Sequence, residues 1–163
     1  NVAAFAIHSR LHAARPDVNA AAHSHSIYGR TFSTLGKPLD PISQDACAFY
    51  ETQAMYKEFS GVVEEVNEGD EIAKALGDKK VIILQNHGIL TTGPSVDIAL
   101  WFYMSMERCC QAQLMAEAAG TPVIIPHETA IKTRDFIAND IAAWASYQPA
   151  YDMIIKREPD LLD

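Results

Sequence analysis

The sequence predicts a layered α/β domain, and three observations indicate this class. A helical pattern over 2–14 precedes a small apolar run at 20–22, and a second helical segment, 71–76, precedes an apolar run at 81–85. Helices that alternate with strands are typical of layered α/β folds. The segment 81–93 reads as two strands joined by a turn that contains glycine, which favours an antiparallel hairpin. These patterns leave the order of the strands open.

The composition is that of a globular protein with a core. The chain has 163 residues, 48% hydrophobic and 21% charged, with a formal net charge of −8. No cluster of Lys and Arg stands out, so we do not expect nucleic acid as a partner. The 3 cysteines are an odd number, which argues against a disulfide framework and favours a reducing compartment. With no signal sequence and no apolar run long enough to cross a bilayer, we expect a cytoplasmic protein without membrane contact.

The N-terminal region is expected to contain two helices around the first strand. The helix over 2–14 is amphipathic, and Pro16 marks its end. Its inward-facing apolar residues are expected to include Phe5, Ile7 and Leu11. A short helix is predicted over 27–35. The aromatic segment 49–59 is assigned only a packing role.

The middle of the chain is expected to lead into a central strand. The segment 61–63 resembles a short strand. A turn is predicted at 67–70, where it supplies the N-cap of the helix 71–76. The strand 81–85 is apolar throughout, so it should lie in the middle of the sheet with both faces covered.

The C-terminal part is predicted to be mainly helical. The longest helix runs from about Ser95 to Ala119 and is apolar on more than one face, which is typical of a helix buried in the core or in a subunit contact. An extended linker follows at 121–126. A second amphipathic helix is expected over 129–145, with a break around Pro149 and a last short helix after it.

Two of the predicted strands end in histidine. The first leads into His23 and His25, which share a face because strand side chains alternate. The second leads to His87, and Gly88 allows the chain to turn there. Imidazoles from two strand ends can bind one transition-metal ion, and three protein ligands with an open position describe a catalytic site. Most pairs of histidines with this spacing bind no metal, so the residues alone leave both interpretations open.

Three stretches of the sequence carry a resemblance to a known family. They are H-S-H-S-I-Y-G with the preceding A-A-R-P-D-V-N-A, the later I-L-Q-N-H-G-I-L, and the closing Q-P-A-Y-D-M-I-I. Together they resemble the class II aldolase/adducin head-domain family, in its adducin-like branch, over nearly the whole chain. The resemblance implies a three-layer α/β fold with a mainly antiparallel central sheet flanked by helices.

The resemblance also implies a metal-dependent function. In this family three histidines hold a divalent metal, usually zinc or manganese, and they map onto His23, His25 and His87. The metal polarises a carbonyl or carboxylate oxygen and stabilises an enolate. We therefore expect a lyase-type enzyme that performs aldol cleavage or decarboxylation of a small hydroxy-carbonyl or carboxylate compound. The alternative is a non-catalytic adducin-like binding module linked to the actin cytoskeleton, which loss of the histidines would favour.

The sequence departs from the family pattern at one catalytic position. Family aldolases use a glutamate as acid/base where this chain has Ala4, which cannot transfer a proton. Asp45 is our candidate catalytic residue, with a helix N-cap or a partner of a histidine as the alternative. Arg30 is our candidate for binding a substrate carboxylate, with a plain surface arginine as the alternative. Decarboxylation becomes a serious possibility.

Two further expectations follow from the resemblance. The chain, 1–163, is expected to be a single domain that lacks its N-terminal portion, because the family's domain begins upstream with a segment that binds a substrate phosphate or carboxylate. Family proteins form ring-like tetramers. We therefore expect a homo-oligomer that acts on a small-molecule substrate.

Overall fold

The structure, a computed structural model, describes residues 2–59 and 66–162. The helices and strands in these ranges are α1 Val2–Ala14, β1 Ala20–Ser24, α2 Ile27–Ser33, β2 Gln53–Tyr56, α3 Val66–Leu76, β3 Val81–Leu84, β4 Gly88–Gly93, α4 Val96–Ala119, α5 His127–Ile137 and α6 Asp140–Arg157. Short 3₁₀ helices cover Asp45–Phe49 and Pro159–Leu162. The strand predicted at 61–63 lies outside the described residues. None of the helices in the described ranges is long and apolar enough to cross a membrane.

The four strands form one mixed sheet in the order β1-β4-β3-β2. β4 pairs antiparallel with both β1 and β3, whereas β2 pairs parallel with β3 at the edge. The mainly antiparallel sheet and the hairpin over 81–93 are therefore confirmed. β2 lies within the segment 49–59, which was assigned only a packing role. A four-residue edge strand is too short to show a clear alternation of apolar and polar residues.

Helices cover both faces of the sheet, which confirms the three layers. Successive residues of β3 point to opposite faces. Ile82 and Leu84 pack in the cluster that contains residues of α1 and α3, while Val81 and Ile83 pack in the cluster that contains residues of α2 and α4. All four β3 side chains are buried, as the apolar run predicted.

The face assigned to α1 is partly wrong. Ile7 and Leu11 are buried, but Phe5 is 69% exposed. Phe5 lies two residues from Ile7, which is about 200° around a helix with 3.6 residues per turn. Ile7 and Leu11, four residues apart, share the buried face instead.

The turn predicted at 67–70 is also wrong, because this segment belongs to α3. Gly69 is buried inside the helix, where α3 meets α1. A Cβ atom at this position would lie 2.2 Å from the carbonyl oxygen of Ala6. This glycine therefore permits close packing of two helices rather than a turn.

The predicted helix over 129–145 is divided into α5 and α6. Asn139 separates them, and its side-chain oxygen accepts a hydrogen bond from the N–H of Ala142 at 2.9 Å, which begins α6. The break predicted around Pro149 is wrong, because α6 continues through it to Arg157. Proline has no N–H, so one carbonyl group of the preceding turn lacks its intrahelical partner. Pro149 is exposed, so this carbonyl group is near water. The long helix and the extended linker at 121–126 are found as predicted.

Candidate metal centre

The strand register brings the two histidine motifs to one end of the sheet. β1 ends at Ser24, which pairs with Ile89, and β4 begins directly after His87. The end of β1 and the start of β4 therefore lie side by side. This places His25 beside His87, although 62 positions separate them in the chain.

His87 projects from a three-residue turn between β3 and β4. Leu84 pairs with Gly88, which leaves Gln85, Asn86 and His87 outside the ladder. Asn86 has a φ angle of 60°, in the left-handed region that asparagine tolerates better than most residues. The N–H of His87 donates to the Leu84 carbonyl at 3.0 Å and closes the turn.

The three imidazole rings lie together. One potential ligand nitrogen from each of His23, His25 and His87 lies within 4.8 Å of the other two. The ring centroids are 4.8, 4.9 and 5.3 Å apart, and the Nε2 atoms of His25 and His87 are separated by 2.9 Å. His25 is exposed and the other two are half-buried, so solvent reaches the group. The structure thus brings together the three histidines that the sequence patterns singled out.

His23 is held in one tautomer by the backbone. Its Nδ1 lies 2.9 Å from the carbonyl oxygen of Ile89, and a carbonyl can only accept. Nδ1 therefore carries the proton, and Nε2 keeps a free lone pair. The pKa of His23 is lowered to about 4, mainly by burial and in smaller part by the neighbouring rings of His87 and His25. Burial also lowers the pKa of His87, with His25 adding to the effect, so both rings are neutral at neutral pH.

Two side chains of α4 contact the residues on either side of His25. The Tyr103 hydroxyl donates to the carbonyl of Ser24 at 3.3 Å and also hydrogen-bonds the Ser24 hydroxyl. The Glu107 carboxylate accepts from the Ser26 hydroxyl at 2.5 Å. Neither residue was selected from the sequence. The available signal was Glu107, an acidic residue within a mainly apolar helix.

The structure places Asp45 at a cavity and Arg30 at the surface. Asp45 lines a cavity of about 470 Å³ between α4, α5 and α6. Among the described residues, those that line this cavity include none of the three histidines. Arg30 is exposed on α2. Their assigned roles in proton transfer and substrate binding stay predictions. Ala4, at the position of the family glutamate, lies in α1.

Comparison with known proteins places the chain in a family. Residues 1–114 match the family model described as Class II Aldolase and Adducin N-terminal domain. The chain belongs to this family. Three imidazoles suit a divalent transition metal, and class II aldolases typically depend on one. A backbone partner that fixes the second ring nitrogen, as in His23, is common among metal-binding histidines, so the residues present fit such an ion.

Relatives of this chain include one that is named a decarboxylase and one that is named an oxygenase and synthase. Decarboxylase NovR from Streptomyces niveus is 44% identical over 99% of this chain and 60% of its own length. A protein from Streptomyces roseochromogenus subsp. oscitans, named 4-hydroxy-3-prenylphenylpyruvate oxygenase/4-hydroxy-3-prenylbenzoate synthase, is 42% identical over 99% of this chain and 58% of its own length. The chain therefore spans 58–60% of these two relatives.

A solved structure shows the same fold. The L-fuculose 1-phosphate aldolase from Glaciozyma antarctica PI12 is 42% identical and superposes with a TM-score of 0.89, over 98% of this chain and 61% of that protein. The layered architecture predicted for this chain is therefore the one that the family has.

Proposed function

We propose that this chain is part of a metal-dependent lyase-type enzyme in which His23, His25 and His87 bind one divalent ion. Zinc is the ion that we expect first, with manganese as the alternative. The observation that carries the proposal is the convergence of three imidazoles from two distant segments, with ligand nitrogens within 4.8 Å of one another. The presence of all three histidines argues against the non-catalytic, adducin-like alternative.

The chain's own residues prepare and orient the ligands. Once bound, the ion would supply Lewis-acid polarisation of a carbonyl or carboxylate oxygen. The Ile89 carbonyl orients His23 and leaves its Nε2 unprotonated. Three protein ligands leave room in the coordination sphere for a substrate oxygen. The exposure of His25 leaves the site open to a small molecule from solvent.

Decarboxylation of a small carboxylate is the reaction that we favour over aldol cleavage. Ala4 at the position of the family glutamate removes the acid/base that family aldolases use. One relative is named a decarboxylase, and the name of another contains a phenylpyruvate and a benzoate. Aryl 2-oxo and 2-hydroxy acids are therefore the first substrates to test. Release of carbon dioxide supports this reaction, whereas a pair of carbonyl fragments would indicate aldol cleavage.

Elemental analysis of protein purified without a histidine tag tests the metal site. We expect about one equivalent of zinc or manganese per chain, and less than about a tenth in His87→Ala, because a site with two remaining imidazoles binds weakly. His127→Ala is the matched control, since His127 is exposed and contacts Tyr50 rather than the other histidines. Unchanged metal in His87→Ala would remove His87 from the ligand set. A nearly metal-free wild type, after exposure to zinc, would contradict the enzyme proposal.

We also propose that the chain forms a homo-oligomer. Large apolar side chains of α5 and α6 face solvent, among them Phe136 at 81%, Ile141 at 80% and Met153 at 66% exposure. Exposed apolar patches commonly mark contacts with another chain. Light scattering should give a mass above that of one chain, and a monomer at micromolar concentration would contradict this.

A further inference from the structure

His25 has less support from secondary structure than the other histidine of its motif. β1 ends at Ser24 and α2 begins at Ile27, so His25 lies in the connection between them and is exposed. His23, by contrast, lies within β1 and is bonded to the carbonyl of Ile89. The position of the His25 ring therefore depends on whatever fixes this connection.

Glu107 fixes the connection from its α2 side. Its carboxylate accepts hydrogen bonds from the N–H groups of Tyr28 at 2.9 Å and Gly29 at 2.6 Å, and from the Ser26 hydroxyl at 2.5 Å. Ser26 is the N-cap residue of α2 but makes no side-chain cap bond of its own. Glu107 therefore supplies, from another helix, the acceptor that an N-cap side chain ordinarily provides. Hydrogen bonds to an ionised carboxylate are stronger than neutral ones.

Gly29 makes room for this carboxylate. A Cβ atom at Gly29 would lie 2.9 Å from Oε2 of Glu107 and 2.9 Å from Cδ1 of Ile89. A larger residue would push the carboxylate away from the N–H groups that it accepts from. The contact between α4 and the start of α2 therefore depends on the residue type at position 107 and at position 29.

Tyr103 fixes the connection from its β1 side. It lies one helical turn before Glu107, so both side chains project from the same face of α4. Its hydroxyl contacts both the hydroxyl and the carbonyl of Ser24. The residues before and after His25 are thus each hydrogen-bonded to α4, while the His25 ring meets His87.

We propose that Tyr103 and Glu107 are positioning residues that hold His25 where it completes the three-histidine group. The metal part of this inference rests on the proposed function. Its structural part does not, because α4 fixes the backbone on both sides of His25 whether or not an ion is bound. Neither side chain acts as a ligand or transfers a proton in this assignment.

Titration of the metal-free protein with zinc tests the metal part. We expect Glu107→Gln and Tyr103→Phe each to raise the dissociation constant for Zn²⁺ by about 10- to 100-fold, the usual cost of losing a residue that orients a ligand. Glu117→Gln is the matched control, because it makes the same change on the same helix but removes contacts to Lys37 and Gln113. We expect wild-type affinity there.

The outcomes separate this inference from the proposed function. If the wild type binds zinc, His87→Ala does not, and Glu107→Gln keeps the wild-type constant, the positioning inference is overturned and the metal site stands. If Glu107→Gln does not fold, Ser26→Ala replaces it. That variant removes one of the three bonds to Glu107 and should weaken zinc binding by a smaller factor, and unchanged affinity overturns the inference.

NMR spectra of the metal-free protein test the structural part of the inference, and they do so even if the wild type binds no zinc. Imidazole nitrogen resonances of the metal-free protein should show the contact between His25 and His87. In Glu107→Gln we expect the His25 resonances to move to those of a free, exposed histidine. The His23 resonances serve as the internal reference and should stay in place, since Ile89 holds that ring. His25 resonances that do not change overturn the inference.

Discussion

At the level of single residues, the backbone at Asn86 decides where the His87 ring is presented. The φ angle of 60° at this position lets the chain reverse within three residues. The N–H of His87 then reaches the carbonyl of Leu84. Asn86 is exposed, so its contribution comes from its backbone conformation rather than from packing.

Substitution of Asn86 measures this contribution. Asn86→Ala should lower the free energy of unfolding by about 1 kcal/mol, because the left-handed backbone conformation is less favourable for alanine than for asparagine. Asn86→Gly should stay close to the wild type, since glycine has no Cβ atom to clash. Urea denaturation of the three proteins provides the comparison. An alanine variant as stable as the glycine variant would show that this turn imposes no backbone cost.

At the level of elements, the sequence predicted best those segments whose residue pattern is determined locally. The strand at 81–85 and the long helix α4 are continuous, mainly apolar segments with clear turn or cap residues at their ends, and the structure contains them as Val81–Leu84 and Val96–Ala119. The start of α3 was missed because Gly69 looks like a turn residue. Its real constraint is the Ala6 carbonyl oxygen of α1, which would lie 2.2 Å from a Cβ atom at position 69. The division between α5 and α6 was missed because Asn139 was not taken as an N-cap.

The candidate site shows the same division between local and long-range information. His23, His25 and His87 could be selected because each ends a recognisable apolar run. Tyr103 and Glu107 were missed, because their partners Ser24 and Ser26 lie 79 and 81 positions away. Their contribution exists only once α4 lies beside the end of β1. A sequence pattern therefore finds candidate ligands more readily than the residues that hold them.

At the scale of the whole molecule, α4 is the helix that connects the sheet to the C-terminal part of the chain. It packs on β1 and β4 and also on α2, α6 and the first 3₁₀ helix. This explains why its apolar residues occupy more than one face, as predicted for a buried helix. It also explains why Cys109 and Cys110 are both buried, although neighbouring residues of a helix point in different directions.

The buried thiols predict how stability changes at alkaline pH. Burial raises the pKa of Cys109 to about 12 and raises the pKa of Cys110 further, from an ordinary value of 9.0. Above about pH 9 the unfolded chain therefore releases thiol protons that the folded chain keeps. The unfolded state then binds fewer protons, so stability is complete below pH 9 and falls as the pH rises toward 12, by up to about 1.4 kcal/mol per pH unit for each thiol.

Denaturant unfolding between pH 7 and pH 11 measures this slope, and a double variant isolates its cause. Cys109→Ala with Cys110→Ala removes two titrating groups from both states while it leaves tyrosine and lysine titration unchanged. We expect the variant to lose some stability at pH 7 through poorer packing, but to show a flatter decline above pH 9. Thiol labelling should agree, with no reaction in the folded protein at pH 8 and all three cysteines reacting in denaturant. Equal slopes for the two proteins would mean that the thiols of α4 ionise in the folded state, and that α4 is more open to solvent than its packing between the sheet and α6 implies.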